Sequence, residues 1–218
     1  MERHFEKNLE ELKDGLQAMS DRVIEALESA HQCLVDLNPS LADGVFSREK
    51  EIDLDENRLE AMILDFIALH QPVAGDLRLV FSMQDAVVDL ERIGDHATNI
   101  AQSAVSLSGL RTPPNLLHLP EMSLLAQQMV QDSIRSFLRR DTEMARRTIA
   151  MDDKLDHLNR DVARLIINAV KEDRELIETG LDIIRISKNY ERIGDLSANI
   201  AEDTIFLVEA KIARHQDK

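Results

Sequence analysis

The sequence predicts an all-α protein: two tandem three-helix bundles from an internal repeat, with six long antiparallel helices. Three observations carry the prediction. Apolar residues recur in alternating steps of three and four over uncommonly long runs, the period of a helix with one buried stripe. No strand-like alternation bounded by turn residues occurs anywhere in the 218 residues. A segment of the first half also returns in the second. Asp89-Leu-Glu-Arg-Ile-Gly-Asp-His-Ala-Thr-Asn-Ile-Ala-Gln102 matches Asn189-Tyr-Glu-Arg-Ile-Gly-Asp-Leu-Ser-Ala-Asn-Ile-Ala-Glu202 at 8 of 14 positions, 100 residues apart. Such self-similarity marks repeated supersecondary units.

The first helix follows Phe5, Leu9, Leu12, Leu16, Met19, Val23, Ala26, Ala30, Cys33 and Leu37, a heptad-like stripe with a narrow buried seam. Asn38-Pro39 reads as a cap with proline at the first helical position, opening a second helix that runs to about Leu69. Gln71-Pro72 and Gly75 break it, and a third helix runs from Asp76 to about Ser108 along Leu79, Met83, Ala86, Leu90, Ile93, Ala97, Ile100, Ala104 and Leu107. Pro113-Pro114 and Pro120 make Gly109 to Pro120 the natural linker. Helix four covers Glu121 to Arg139, Asp141 caps a fifth helix ending near Lys171, and the sixth runs from about Leu176 to Ala213. Upstream of the shared motif, Leu41-Ala42, Glu49, Ile52 and Asp53 correspond to Met144-Ala145, Asp152, Leu155 and Asp156 at an offset of 103, the change in offset falling at an interhelical turn. Residues 1–110 thus form a first repeat, 111–119 a linker and 120–218 a second repeat.

Composition narrows the function. With 26 Lys+Arg against 41 Asp+Glu the net charge is −15, which argues against gripping nucleic acid or an anionic membrane. Aromatics are 3% with no Trp and one Tyr, so base-stacking platforms are not expected. Cys33 is the single cysteine, which excludes an internal disulfide and a thiolate zinc site; on the apolar stripe it reads as a buried small hydrophobe. The charged N-terminus lacks a signal-peptide core, and no apolar run reaches the ~20 residues of a membrane span. The expected compartment is the cytoplasm, without membrane insertion.

Each repeat carries two acid-x-x-x-acid pairs: Glu49/Asp53 with Glu91/Asp95, and Asp152/Asp156 with Glu191/Asp195. A spacing of four puts both carboxylates on one helix face. The pairs of the first repeat lie about equally far from the turn near residue 72, and those of the second from the turn near residue 173. Antiparallel helices with equal arms place paired acids at one height, so four carboxylates converge in each repeat. Like charges so close repel unless a proton or cation relieves them, and oxygen-only ligands suit hard divalent cations (Mg²⁺, Mn²⁺ or Ca²⁺) or iron. These acids flank the apolar seam, which places the sites on the surface, while acids four apart on a helix are also what an ordinary solvated face looks like. The pair of Glu-x-x-His motifs that bundle-core di-iron proteins carry on two helices is missing, the spacing occurring once, at Glu28-Ser-Ala-His31.

Gly94 and Gly194 sit mid-helix, each at a cost of about 1 kcal/mol relative to Ala, either to admit a close neighbour or as relics of duplication. Arg92 and Arg192 either steady the acids, through a local pair with Asp95 and Asp195 or a neighbouring helix, or dock a partner. Asn99 and Asn199, four residues beyond Asp95 and Asp195, are either further oxygen ligands or plain helix polar residues. Asp85, Asp89 and His96 share a face that the second repeat does not reproduce, and read as surface. No phosphate-binding loop, nucleophile elbow or Cys/His pair is present, so no catalytic or cofactor-binding residue is assigned.

The doubled Glu-Arg-Ile-Gly-Asp-x-x-x-Asn-Ile-Ala resembles the PhoU family of phosphate-transport regulatory proteins, as do Gln71-Pro72, Asp76-Leu77-Arg78 and Met19. The resemblance covers nearly the whole chain. It implies two three-helix bundles and a cytoplasmic accessory role: restraint of phosphate uptake and negative regulation of the phosphate-starvation response. The implied partners are the ATPase subunit of the phosphate ABC transporter and the sensor histidine kinase of that response. The family's metal motif maps onto Glu49/Asp53, Glu91/Asp95, Asp152/Asp156 and Glu191/Asp195, with Mg, Mn or Fe as the implied ion. Departures stand at Glu175-Leu176-Ile177, where the second repeat lacks a Pro-x-x-x-Asp-Leu-Arg stretch, and at Ser82-Met83-Gln84. The expectation is a non-enzymatic adaptor, plausibly a homodimer through its long helices. A helical scaffold without phosphate signalling and a metal-dependent enzyme are the alternatives.

Overall fold

Among the described residues six α-helices pack as two three-helix layers around a shared apolar core, with a small separate cluster at Ala145, Ala201 and Ile205: α1 Glu2–Asp36, α2 Ala42–His70, α3 Ala74–Leu107, α4 Leu119–Arg139, α5 Thr142–Glu172 and α6 Ile177–Glu209. The computed structural model describes residues 2–111 and 118–209, and no strand occurs among them. Helices α1, α2 and α3 form the first bundle and α4, α5 and α6 the second. The bundles meet side by side, α3 lying along α6 and α1 against α4, which leaves α2 and α5 on the outer flanks.

The turns are built from the residues that the sequence marks. Leu37 adopts a left-handed conformation that ends α1. Asn38 then accepts a hydrogen bond from Ser40 N at 3.1 Å, and Pro39 opens a 3-10 turn, Pro39–Leu41, ahead of α2. The proline therefore starts a 3-10 turn rather than the α-helix itself, where its missing N–H is harmless. Arg140 and Asp141 repeat this 103 residues later: Arg140 is left-handed and Asp141 accepts from Met144 N at 2.9 Å. Gln71 and Ala74, both at positive φ, bracket Pro72, and α3 starts at Ala74, two residues before the expected Asp76. At the opposite turn Asp173 accepts from Glu175 N and caps a 3-10 turn, Arg174–Leu176, before α6.

One further boundary differs from expectation. Pro120 lies in the first turn of α4 rather than in the linker, since proline at the start of a helix forfeits no hydrogen bond. Helix α6 is described to Glu209, and the expected end at Ala213 lies outside the described residues, as do Pro113 and Pro114. The seam of α1 is also wider than a single stripe. Leu27 and Leu34 are buried with Leu12, Leu16, Met19, Val23, Ala26, Ala30 and Cys33, because α1 packs against α2, α3 and α4 together.

Candidate functional site

Gly94 and Gly194 each face a side chain of the outer helix at close range. A Cβ on Gly94 would stand 3.1 Å from Ile52 Cδ1 and 3.3 Å from Ile52 Cγ2. One on Gly194 would stand 2.6 Å from Leu155 Cδ2 and 2.9 Å from Asp152 Oδ1. The glycines admit the side chains of α2 and α5, which is the first of the two readings open from sequence. Ile52 neighbours Asp53 in the chain and Leu155 neighbours Asp156, so this contact sets the height of the acids.

Each sequence-derived quartet converges. In the first, Glu49 is pushed above the usual carboxylate range by its burial and then by Asp53 and Asp95. Glu91 is pushed up to about 7 by burial and then by Asp95, Glu56 and Asp53. In the second, Asp152 is pushed up to about 7 by burial and then by Asp195, Asp156, Glu191 and Asp153. Asp195 rises through burial and Glu191, partly offset by Arg192. Both causes act against ionisation: lost hydration and neighbouring negative charge each disfavour a further carboxylate.

The two clusters differ in depth. Glu49, Asp53 and Glu91 are half-buried and Asp95 is exposed, whereas Glu191 is only 9% exposed. The second cluster is therefore not a surface feature at Glu191, because α6 is wrapped by α3, α4 and α5. Lys188 donates to Glu191, and Arg192 approaches it at 3.8 Å while bonding Asp195 at 3.2 Å, the local i,i+3 pair. In the first repeat Arg92 turns back toward Asp89 instead, at 3.7 Å. Asp152 Oδ1 is buried without a hydrogen-bond partner. Asn99 is exposed and Asn199 half-buried.

One participant escapes the sequence reading. Glu56, half-buried and one heptad beyond Glu49, joins the first cluster and itself titrates high through burial, Glu60, Asp53 and Asp95. Its counterpart in the second repeat is Asn159, which accepts from Ser187 Oγ at 2.7 Å. His96 and Asp89, expected on the surface, lie where α3 meets α6. Asp89 is buried, and His96 Nδ1–H donates to Asn189 Oδ1 at 2.8 Å while Asn189 Nδ2 donates to Arg185 O. That bond ties the turn of α3 carrying Asp95 to the turn of α6 carrying Glu191. Asp85 stays exposed.

Hard oxygen donors, mutual repulsion and a buried carboxylate oxygen with no donor fit a cation in chemistry and charge. Among the described residues no three His, Cys, Asp or Glu side chains are gathered tightly enough to enclose one as they stand. Closure on an ion thus calls for carboxylate rotation, which half-exposed side chains permit. No described helix is long and apolar enough to cross a membrane.

The architecture defines a class: a duplicated three-helix protein with one acidic cluster between the second and third helices of each repeat. The PhoU domain matches residues 16–104 and again 119–204, and the chain belongs to the PhoU family. It is 37% identical over 210 residues to the "Phosphate-specific transport system accessory protein PhoU homolog" of Aquifex aeolicus, covering 96% of this chain and 95% of that one. It is 32% identical over 212 residues to the protein of that name from Pseudomonas aeruginosa, covering 97% and 88%. The crystal structure of PhoU from Pseudomonas aeruginosa superposes with a TM-score of 0.92 at 32% identity, over 95% of this chain and 100% of that one. The phosphate transport system regulatory protein PhoU from Streptococcus pneumoniae gives 0.88 at 26% identity, over 95% and 98%.

Proposed function

We propose that this protein is an accessory regulator of phosphate transport: a cytoplasmic, non-enzymatic adaptor that restrains uptake and holds the phosphate-starvation response off when phosphate is plentiful. The observation that carries the reading is the family match in both repeats, over the helices that bear the two acidic clusters. Relatives named as phosphate transport accessory proteins support the role in transport regulation. The finer reading assigns two contacts, the ATPase subunit of the phosphate transporter and the sensor histidine kinase. The long outer helices offer surfaces for these and for a homodimer. Residues 1–110 and 120–218 are taken as its two repeats, joined by 111–119.

In this reading Glu49, Asp53, Glu91 and Asp95 hold a divalent or transition metal (Mg, Mn or Fe), and Asp152, Asp156, Glu191 and Asp195 hold another. The ion supplies charge neutralisation, which relieves the repulsion that raises Glu91 and Asp152. Binding then joins each outer helix, α2 or α5, to the inner helix beside it, α3 or α6.

Gene deletion tests the regulatory role through secreted alkaline phosphatase in phosphate-rich medium. A large rise reversed by the intact gene is expected; an unchanged level overturns the circuit assignment. For the metal, the double substitution Glu91→Gln with Asp95→Asn is expected to lower ion binding while the circular dichroism spectrum is kept. Unchanged binding in that variant removes these residues from the site. A scaffold would lose neither metal nor regulation.

A further inference from the structure

On the seam between α1 and α4, away from the acidic clusters, a cavity of about 340 Å³ opens between the two bundles. Its wall carries Gln17, Ser20 and Asp21 from α1, and Gln131, Arg135 and Arg139 from α4. Arg135 and Arg139 stand four apart, so both guanidinium groups project from one face of α4. Arg135 has one weak contact, to Asp132 at 3.8 Å, and Arg139 makes no ion pair with a described residue.

Ser20 is the second, independent observation. It is 1% exposed, and its Oγ is buried with no hydrogen-bond partner. Buried helical serines elsewhere in the chain satisfy themselves: Ser133, Ser136 and Ser197 each donate to a carbonyl of their own helix. Ser20 lines the cavity, and a hydroxyl buried without a partner is costly, so a turn of its side chain toward a ligand there would recover a hydrogen bond.

The pseudo-equivalent seam shows that this is no by-product of duplication. At the offset of 103 that relates the two α1-type helices, Arg135 corresponds to Gln32, Arg139 to Asp36 and Gln131 to Glu28. Ser20 corresponds to Ser123, whose Oγ accepts from Gln127 Nε2 at 3.1 Å. The cations and the orphaned hydroxyl occur together on one seam alone.

Guanidinium, hydroxyl and amide donors around one cavity recognise an oxyanion. Asp21, which accepts from Gln17 Nε2 at 2.8 Å, narrows the choice. A carboxylate repels a fully ionised oxyanion and accepts a hydrogen bond from one that keeps a proton. Phosphate retains a P–O–H near neutral pH, and sulfate does not. We propose that the α1–α4 seam binds a phosphate group, with Arg135, Arg139 and Ser20 as donors and Asp21 as the acceptor that selects the protonated anion. A ligand there touches both bundles at once. The inference goes beyond the regulatory reading and is tested in vitro, so neither falls with the other.

Titration calorimetry on the full chain, at constant ionic strength near pH 7, uses inorganic phosphate, adenosine monophosphate and sulfate in turn. Saturable binding of inorganic phosphate in preference to sulfate supports the site, and binding of the nucleotide alone, whose ester phosphate has largely lost its proton near pH 7, overturns it. Arg135→Gln with Arg139→Gln is expected to weaken binding by about tenfold or more, as loss of charged donors does. Ser20→Ala is expected to weaken it by about fivefold without lowering the melting temperature of the ligand-free protein, because the hydroxyl has no partner to lose. Arg146→Gln with Arg147→Gln removes the same charge elsewhere and is expected to change nothing. Absence of binding by all three anions, equal binding of sulfate, or indifference to the Arg135/Arg139 variant in a folded protein each overturns the proposal.

Discussion

Replacing Gly194 by alanine separates two opposing effects of known size. Alanine in a helix interior gains about 1 kcal/mol over glycine. Against this, the new methyl stands 2.6 Å from Leu155 Cδ2, where carbon–carbon contacts settle near about 3.5–4.0 Å, so roughly 1 Å of movement is required. Leu155 is fully buried, which denies it an easy retreat, and Asp152 Oδ1 at 2.9 Å must shift as well. Overpacking of this kind costs about 1–3 kcal/mol, so Gly194→Ala is expected to destabilise by about 1 kcal/mol net. At Gly94 the nearest atom is Ile52 Cδ1 at 3.1 Å, a smaller displacement, so the two terms there come close to cancelling. Urea unfolding followed by far-ultraviolet circular dichroism measures both. For a chain of this length about 1 kcal/mol moves the melting temperature by about 2–4 °C. A Gly194→Ala protein more stable than the parent by the full helix-propensity gain would refute the close approach of α5 to α6 at this level.

Three further outcomes follow from the same geometry. Glu91 and Asp152 titrate near 7 when folded and near 4 when unfolded, so between those values the folded state holds protons that the unfolded state releases. Stability of the chelator-treated protein is therefore expected to be highest at the acid end of that window and to fall as pH rises to about 7; thermal melts across pH 4.5–8 check this, and Asp152→Asn is expected to flatten the slope. His96→Ala leaves Asn189 Oδ1 without its donor where α3 meets α6, an expected cost of about 1–2 kcal/mol, with a double-mutant cycle against Asn189→Ala giving a coupling well above zero. Cys33, buried with its thiol pushed up by burial and donating to Asn38 O at 3.3 Å, is expected to resist Ellman's reagent in the native protein and to react at once in denaturant.

Spacing and repetition made the acidic clusters legible before any coordinates. The i,i+4 pairs fix a face, and equal arms from the turn fix a height; neither depends on long-range contacts. Requiring each acid to recur in both repeats was also what hid Glu56, whose counterpart is Asn159. The depth of Glu191 and Asp89 was illegible for a different reason. A stripe with helical period reports the face that a helix turns to its own bundle, whereas α3 and α6 also pack on each other and carry buried residues outside that stripe. No single helix encodes that contact in its periodicity. The turns sit at the other extreme, since Asn38, Pro39 and Asp141 act through their own backbone neighbours and the sequence announces them directly.

The departures from local stability are concentrated rather than scattered. In each repeat a glycine interrupts a long helix, carboxylates face one another across a helix pair, and the raised Glu91 or Asp152 is held against its ionised form. In the second repeat an oxygen of Asp152 is buried without a partner in the same place. The crowded carboxylates and the unpaired oxygen each oppose folding, and each would be relieved by one substitution. Charges that merely solvate a surface spread along a helix, with partners close by, as in Lys7–Glu11 and Arg147–Glu143. Local rules broken together at one height, twice over, point to a ligand that restores the balance. On the proposed metal-binding reading, the melting temperature of the chelator-treated protein on adding a divalent ion is the direct readout: it is expected to rise most at the pH where the carboxylates are ionised and least where they carry protons, and no rise at any pH would leave the passive scaffold.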